Sequence, residues 1–143
     1  MVSAKKVANY FMGHVRPEEG DVMTNLKMQK LLYLAQGFYL GMFDKPLFED
    51  DIELWVHGPV VPKLFKKFQK NENGIIEYDS TMKMDDIDDE TKGLLDEVYT
   101  VYGQFSASAL KDIVSADPPI ASKNIRDIIS ADDMREYFKD KLN

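Results

Sequence analysis

The chain has 143 residues, with 18 Lys and Arg against 25 Asp and Glu, so its formal net charge is −7. A chain this acidic repels nucleic-acid backbones and anionic membrane surfaces, which argues against both as partners. The sequence contains no cysteine, and this excludes disulfides, thiolate catalysis and cysteine-ligated zinc.

The sequence carries no sign of export or membrane insertion. Its first residues lack the apolar stretch of a secretory signal, and no run of roughly 18 apolar residues is available for a membrane span. We therefore expect a cytoplasmic protein. The length suits one domain with one hydrophobic core, so residues 1–143 are expected to form a single domain.

Two helices are predicted in the first third of the chain. Apolar residues three and four positions apart predict a helix from Ser3 to about Val15, with Ser3 as its N-cap. A second helix, capped by Thr24 or Asn25, runs to about Gly41 and is apolar over more than half of its circumference, which is typical of a central helix. Its apolar stripe comprises Met28, Leu31, Leu32, Ala35, Phe38, Tyr39 and Met42.

Helical periodicity is lost after the second helix. Alternating apolar residues over 52–56 predict a short strand, which Gly58 and Pro59 break. Pro62 suits the first turn of a third helix, where its missing N–H is not needed. Residues 75–79 predict a second short strand, expected to pair with the first.

The second half of the chain again reads as helical. Helices are predicted from about 89 to 102, after Ser106, and after Ser130, where Ser130 and Asp133 suggest a capping box. The acidic stretch 82–91 is interpreted as a helix N-terminus; the alternative, a calcium loop, lacks the glycine and ligand spacing of an EF-hand. The predicted fold is mainly α, a compact array of five or six helices, with or without a small two-stranded β ribbon.

Groups suited to catalysis are few. His14 is expected to meet the last carbonyls of the first helix, and His57 is expected to make a structural hydrogen bond beside Trp55. No nucleophile elbow, zinc-ligand spacing or phosphate loop is present. We therefore expect no catalytic residue, no metal and no cofactor, and hence no enzyme. An enzyme that uses His57 with a nearby carboxylate is the alternative.

The stretch from Thr24 to Phe68 carries the most specific pattern of the sequence. It contains a TNLKMQKLLY helix, a PLF turn, an acidic stretch with Trp55, and GPV. Their order and spacing resemble the Antitoxin SocA-like Panacea domain. The matching residues are Thr24, Asn25, Leu26, Lys27, Gln29, Lys30, Leu31, Leu32, Tyr33, Ala35, Pro46, Leu47, Phe48, Trp55, Gly58, Pro59 and Val60.

A later segment, LLDEVYTVYGQFSASALKDI, is similar to the same family more loosely. Beyond it the family usually has a Thr-His or Thr-Glu pair and then Pro-Trp. This chain has Val114-Ser115 and Pro118-Pro119 at those places. A family surface that depends on the missing His or Trp would therefore be altered here.

The resemblance implies a protein that works by binding another protein. Panacea proteins are described as antitoxins that neutralise unrelated toxins by direct contact, and one member hands its toxin to a ClpXP-type protease. The expected partners are therefore a toxin or other protein and, for an adaptor, such a protease. Other members occur in prophages without an assigned role, so a prophage-encoded host-interaction protein without a toxin partner is the alternative.

The expected partner-binding surface centres on the second helix and the segment that follows Trp55. Polar residues at fixed places on a buried helix either form internal hydrogen bonds or belong to an interface, and the sequence leaves both open. Because aromatic residues with a polar group suit interfaces, Tyr33, Trp55 and His57 are expected to border one groove. The alternative is that Trp55 is simply a core residue. The candidate partner-binding residues are Gln29, Lys30, Tyr33, Gln36, Trp55, His57, Gly58 and Pro59.

Overall fold

The computed structural model describes residues 1–142. Within them the chain forms seven α-helices, α1 (Ala4–Met12), α2 (Asn25–Phe43), α3 (Pro62–Gln69), α4 (Asp89–Tyr102), α5 (Ala107–Ser115), α6 (Pro118–Ala121) and α7 (Ala131–Lys141). Four short strands are β1 (Met23–Thr24), β2 (Glu53–Trp55), β3 (Gly58–Val60) and β4 (Ile75–Ile76), and two 3₁₀ turns span Pro17–Glu19 and Glu72–Gly74.

The mainly α fold predicted from the sequence is confirmed. The helix beyond the predicted number is α6, a single turn whose first two residues are Pro118 and Pro119. Proline ends a helix when it lies inside one but is tolerated in the first turn, where no N–H is needed. The two prolines therefore end α5 and begin α6.

The predicted N-caps set the starts of four helices. The side chains of Ser3, Thr24, Ser106 and Ser130 each accept a hydrogen bond from the backbone N–H three residues later. Each bond satisfies one of the amides that a helix start leaves without a partner. Local sequence is therefore sufficient to begin these helices.

The strands pair differently from the prediction. The antiparallel pairs are β2 with β3 and β1 with β4, so the expected pairing of 52–56 with 75–79 is wrong. Gly58 and Pro59 do not end the ribbon but form its returning strand. Gly58 has φ of 116°, which reverses the chain directly after Val56 and His57. A hairpin this short closes with a smaller entropy cost than a pairing across 20 residues.

The second edge of β2 is also paired, with residues 126–129. Leu54 N–H donates to the carbonyl of Asp127 at 2.9 Å, and Ile129 N–H donates to the carbonyl of Ile52 at 2.8 Å. An antiparallel bridge joins Glu53 to Ile128. The hairpin is thereby fixed to a loop more than 70 residues later in the chain.

Helix α2 lies at the centre of the structure, as its nearly all-round apolar surface predicts. It packs against α1, α3, α4, α5, α7, β1 and β3. The predicted apolar stripe, however, is wrong towards the C-terminal end. Met42 is 50% exposed, whereas Leu34 and Leu40, which lie off the stripe, are buried. These leucines share a helical face with Gly37 and Gly41, and α7 covers that face.

Two glycines on α2 allow α7 to approach closely. A Cβ atom at Gly37 would lie 2.2 Å from Cε2 of Phe138, and one at Gly41 would lie 2.8 Å from the carbonyl carbon of Phe138. Phe138 is fully buried and also packs edge-on against Tyr33 and Phe38. Gly37 and Gly41, one helical turn apart and without side chains, therefore form the part of α2 on which α7 packs, and we call this part the seat for α7.

A buried carboxylate joins α2, α6 and α7. Asp117 accepts hydrogen bonds from the hydroxyl of Tyr33 at 3.0 Å and from the hydroxyl of Tyr137 at 2.9 Å. Burial raises the pKa of Asp117, and the two hydrogen bonds oppose that rise. Burial and the carboxylate raise the pKa of Tyr33 and bring that of Tyr137 to about 12, so both phenols stay donors.

The seat for α7 can be tested with two glycine-to-alanine substitutions that should change the free energy of unfolding in opposite directions. Gly37→Ala should lower the free energy of unfolding by about 1–3 kcal/mol, because Phe138 has to move. Gly93→Ala, in the open middle of α4, should raise it by up to about 1 kcal/mol through helix propensity. Urea denaturation measures both values. Equal effects of the two substitutions would contradict the close packing of α7.

The Asp117 cluster predicts a pH-dependent mutational effect. Tyr33→Phe removes one donor, so the free energy of unfolding should fall by about 1–3 kcal/mol at pH 7. Folding raises the pKa of Asp117. Its contribution to the free energy of unfolding is therefore fully present in acid and is lost as pH rises through the pKa of the folded state. The variant raises this pKa further, and the stability difference from the unaltered protein should therefore shrink as pH falls.

The matched control is Tyr39→Phe. The hydroxyl of Tyr39 makes no hydrogen bond to residues 1–142, so its removal should change stability little at any pH. Urea denaturation across the acidic to neutral range distinguishes the two variants. A Tyr33→Phe effect of constant size over that range would show that its hydroxyl does not stabilise the ionised carboxylate.

Candidate partner-binding surface

Exposed apolar side chains lie along the β2–β3 hairpin and the segment that pairs with β2. Val56 is 67% exposed, and Ile125 and Ile128 are each 53% exposed. Glu53 pairs with Ile128 across the ribbon, so Trp55, two residues after Glu53, lies on the face that also carries Ile128. We call this cluster, made of Trp55, Val56, Ile125, Arg126 and Ile128, the hairpin surface.

Trp55 is held in one orientation from three sides. Its Nε1–H donates to Oε1 of Glu53 at 2.9 Å, and its ring packs edge-on against Phe65 with 5.1 Å between the ring centroids. The guanidinium carbon of Arg126 lies 4.1 Å from the centroid of the indole ring, which is a cation–π arrangement. Trp55 is half-buried and therefore belongs neither wholly to the core nor wholly to the solvent.

A hollow of about 120 Å³ opens beside Trp55. Its remaining walls are mostly apolar and come from α2, β3, α3 and the loop that precedes Ile128. The lining residues are Leu26, Trp55, Val56, His57, Val60, Phe65, Ile125 and Arg126. The hollow combines an aromatic face, aliphatic walls and one cation.

Two of the predicted site residues, Gln29 and Gln36, make internal hydrogen bonds. Oε1 of Gln29 accepts from the N–H of Val61 at 2.8 Å, which ties α2 to the start of α3. Gln36 accepts from the N–H of Leu47 at 2.7 Å and donates to the carbonyl of Phe48 at 2.8 Å. Of the two readings left open by the sequence, the structure shows internal bonding, which fixes the segments on either side of the hairpin.

Tyr33 does not border a groove with Trp55 and His57, contrary to the expectation from sequence. Its side chain is fully buried and its hydroxyl is bound to Asp117. The reason is that α7 and α6 cover this side of α2. Gly58 and Pro59 are also buried and shape the hairpin through its backbone. Contact of these residues with a partner stays a prediction.

Lys30 lies below the hairpin and is only 2% exposed. Its Nζ donates to the carbonyl of Leu26 at 3.2 Å. A Cβ at Gly58 would lie 3.3 Å from Cε of Lys30, so the glycine leaves room for the lysine as well as adopting a positive φ. Burial, followed by the charge of Lys111, lowers the pKa of Lys30 to about 8.

The two histidines occupy different surroundings. Nδ1 of His14 lies 3.3 Å from the carbonyl of Tyr10, as expected at a helix end, and Nε2 lies 2.9 Å from Oδ1 of Asp96 on α4. His57 is exposed, and the structural hydrogen bond expected for it is not found within residues 1–142. It makes no ion pair with those residues either. The enzyme alternative based on His57 stays a prediction.

No three His, Cys, Asp or Glu side chains between residues 1 and 142 come together in a way that would hold a metal ion. In the same range, no helix has both the length and the apolar character required to cross a membrane.

Sequence reasoning missed the contribution of Ile125, Arg126 and Ile128. Their only signal is the run NIRDII in a segment without helical periodicity. Because the hairpin and this segment are more than 60 residues apart, no local pattern shows that they pair. Trp55 and the turn after it were predicted, and the structure adds the second half of the surface.

Comparison with known proteins gives a family match and one similar antitoxin. The model of the family described as "Antitoxin SocA-like, Panacea domain" matches residues 28–119. Antitoxin SocA of Caulobacter vibrioides (strain NA1000 / CB15N) is 36% identical over 70 residues, which cover 49% of this chain and 37% of that protein. No solved structure matches the chain.

The family match contains most of α2, the whole β2–β3 hairpin, and the helices α3, α4 and α5. It extends over more than half of the chain. The structure places Trp55 and Val56 inside this matched region, whereas Ile125, Arg126 and Ile128 lie outside it, as do α1 and α7. The chain belongs to the Antitoxin SocA-like, Panacea domain family.

Proposed function

We propose that this protein is an antitoxin-like module that neutralises a toxin protein by direct contact through the hairpin surface. The observation that carries the proposal is the set of exposed apolar side chains, Val56, Ile125 and Ile128, grouped around an oriented tryptophan. Membership of an antitoxin family supports the antitoxin role, and the similar Caulobacter protein is named as an antitoxin.

The chemistry of the surface is that of a protein-binding site. Tryptophan and arginine are the residue types that most often dominate binding energy at protein interfaces. Exposed aliphatic side chains beside them lose contact with water when a partner covers them, which favours association. Neutralisation by this surface needs no covalent step, so we propose that the protein is not an enzyme. We also propose that it acts in the cytoplasm.

Two further roles are compatible with the same surface. A protein that holds its toxin through the hairpin and contacts a ClpXP-type protease elsewhere would act as a proteolytic adaptor. A prophage-encoded protein without a toxin partner would use the hairpin to bind a host protein. The identity of the captured partner distinguishes these roles.

The first experiment is affinity purification of the tagged protein from its native host, followed by mass spectrometry. We expect one stoichiometric partner that arrests growth when it is expressed alone and is harmless when this protein is co-expressed. Co-purification of protease subunits would favour the adaptor. A stoichiometric partner that is not toxic would favour the host-interaction role and refute neutralisation.

Substitutions at two positions of the hairpin surface test whether it makes the contact with the toxin. Val56→Asp and Ile128→Asp place a charge where an apolar partner is expected, and each should weaken binding of the captured toxin by about tenfold or more. Both side chains are largely exposed, so thermal unfolding should be almost unchanged. Surface plasmon resonance and growth in co-expressing cells measure the effect.

The matched control is Val101→Asp. Val101 is exposed on α4, beside a second apolar hollow formed with Phe38, Met42 and Leu142. The same charge there should leave binding and growth protection intact. Loss of protection by Val101→Asp, with Val56→Asp still protective, would place the toxin on α4 and refute the hairpin surface.

A further inference from the structure

The segment 126–129 has one edge paired with β2 and one edge that faces away from it, which we call the outer edge. The carbonyl of Asp127 and the N–H of Ile129 bond to β2 at 2.9 and 2.8 Å. In an antiparallel ladder the backbone groups of successive residues point to opposite sides, so Ile128 turns its N–H and its carbonyl away from β2. Neither group is hydrogen-bonded within residues 1–142.

The outer edge is open to solvent. Every residue from Asn124 to Ile128 is exposed, and Ile128 is 53% exposed. Ser130 is also extended, with φ of −68° and ψ of 138°, and the same alternation turns its N–H to the outer side. This N–H has no hydrogen-bond acceptor in the described part of the chain. An added strand would therefore meet two donors and one acceptor along the edge.

Both ends of the outer edge are closed. Leu54 accepts from the N–H of Arg126 at 2.6 Å and donates to the carbonyl of Asp127, so two residues oppose one, which is a β-bulge. Arg126 has φ of 80° at this bulge. At the other end, α7 begins at Ala131. Because a bulge and a helix both interrupt strand pairing, the edge has room for one short strand and not for open-ended stacking of chains.

The side chains of the outer edge favour strand pairing. Exposed edges of natural sheets are often protected by lysine or proline, but residues 128–130 are Ile-Ile-Ser. The bridge from Glu53 to Ile128 places the side chain of Ile128 on the face that also carries Trp55. An added strand would place a residue beside Ile128 as a cross-strand pair. The outer edge is thus continuous with the hairpin surface.

We propose that an extended segment of the partner protein adds to the ribbon as a further strand along the outer edge, with its backbone bound to Ile128 and Ser130. This inference rests on the proposed function and adds to it the way in which the partner is bound. The occupant is a segment of another protein, because two copies of a chain with net charge −7 repel each other. Backbone bonds supply affinity, and a β-branched or aromatic side chain packed on Ile128 supplies selectivity.

Selection from a random peptide library tests the inference without knowledge of the toxin. Phage that display random 12-residue peptides are depleted on immobilised Ile128→Pro protein and then selected on the unaltered full chain. Proline removes the outward N–H but is tolerated at a sheet edge, so depletion removes peptides that bind elsewhere. We expect enriched peptides with β-branched or aromatic residues at alternate positions. No enrichment, or apolar residues at helical spacing, would overturn the proposal.

Amide hydrogen exchange of the unaltered protein, followed by NMR, tests the backbone contact directly. Binding of the best synthetic peptide should slow exchange at the N–H of Ile128 by about tenfold or more. The N–H groups of Leu54 and Ile129 are bonded within the ribbon and should exchange slowly with or without peptide. A peptide that binds while Ile128 exchanges at its original rate would refute strand addition.

The matched control for the proline variant is Ile128→Ala, which also shortens the side chain but keeps the N–H. By isothermal titration calorimetry, Ile128→Pro should bind the peptide about tenfold more weakly than Ile128→Ala, because only proline removes a hydrogen bond. Equal affinities of the two variants would contradict a bond from this N–H. The exchange measurement on the unaltered protein remains decisive if the proline variant fails to fold.

A second copy of the chain is the competing occupant. Analytical ultracentrifugation of the unaltered protein without peptide should show a monomer, and the N–H of Ile128 should then exchange rapidly. A dimer in which Ile128 is protected, and which Ile128→Pro abolishes, would make a second copy the occupant and overturn the proposal.

The outcomes separate this inference from the proposed function. If Val56→Asp and Ile128→Asp abolish protection from the toxin but Ile128→Pro leaves it intact, the antitoxin role of the hairpin surface stands and strand addition is refuted. If the selected peptide protects the N–H of Ile128 but all three variants still neutralise the toxin, strand addition stands and the toxin binds elsewhere.

Discussion

The polar side chains of α2 have to find hydrogen-bond partners inside the protein, because the helix is covered on nearly all sides. A buried amide or hydroxyl without a partner costs more than the net gain of an ordinary hydrogen bond. Gln29, Gln36 and Tyr33 meet this requirement with Val61, the 47–48 backbone and Asp117. Each of these bonds reaches a different part of the chain, so the burial of one helix determines where the surrounding segments lie.

This arrangement explains how a short hairpin becomes a defined surface. A two-stranded ribbon is marginally stable by itself, but Gln36 fixes the backbone before β2 and Gln29 fixes the backbone after β3. The bonds from 126–129 then close the second edge of β2. The buried polar residues of α2 therefore hold the hairpin in place from below, while its exposed apolar side chains come from Val56 and from Ile125 and Ile128 of a distant loop.

The family match covers only part of the structure that surrounds α2. The family match ends at residue 119, but α7 follows it and packs on α2 through the seat formed by Gly37 and Gly41. The Asp117 cluster connects the last matched residues to Tyr137 of α7. The hairpin lies within the matched part, and the helix that completes the cover of α2 lies outside it. The hairpin and the last helix that covers α2 thus come from different segments of the chain, and the segment 126–129 that pairs with β2 lies outside the match, as α7 does.

The sequence by itself determined what depends on neighbours along the chain. Helix starts at Ser3, Thr24, Ser106 and Ser130 followed from capping, and the central place of α2 followed from its apolar circumference, because both are local properties. The motif from Thr24 onwards identified the family. Only the tertiary structure decided the strand partners, the burial of Tyr33, the seat for α7 and the contact of Trp55 with Arg126. Each of these features joins segments that are far apart in the sequence, and local periodicity does not show which distant segments meet.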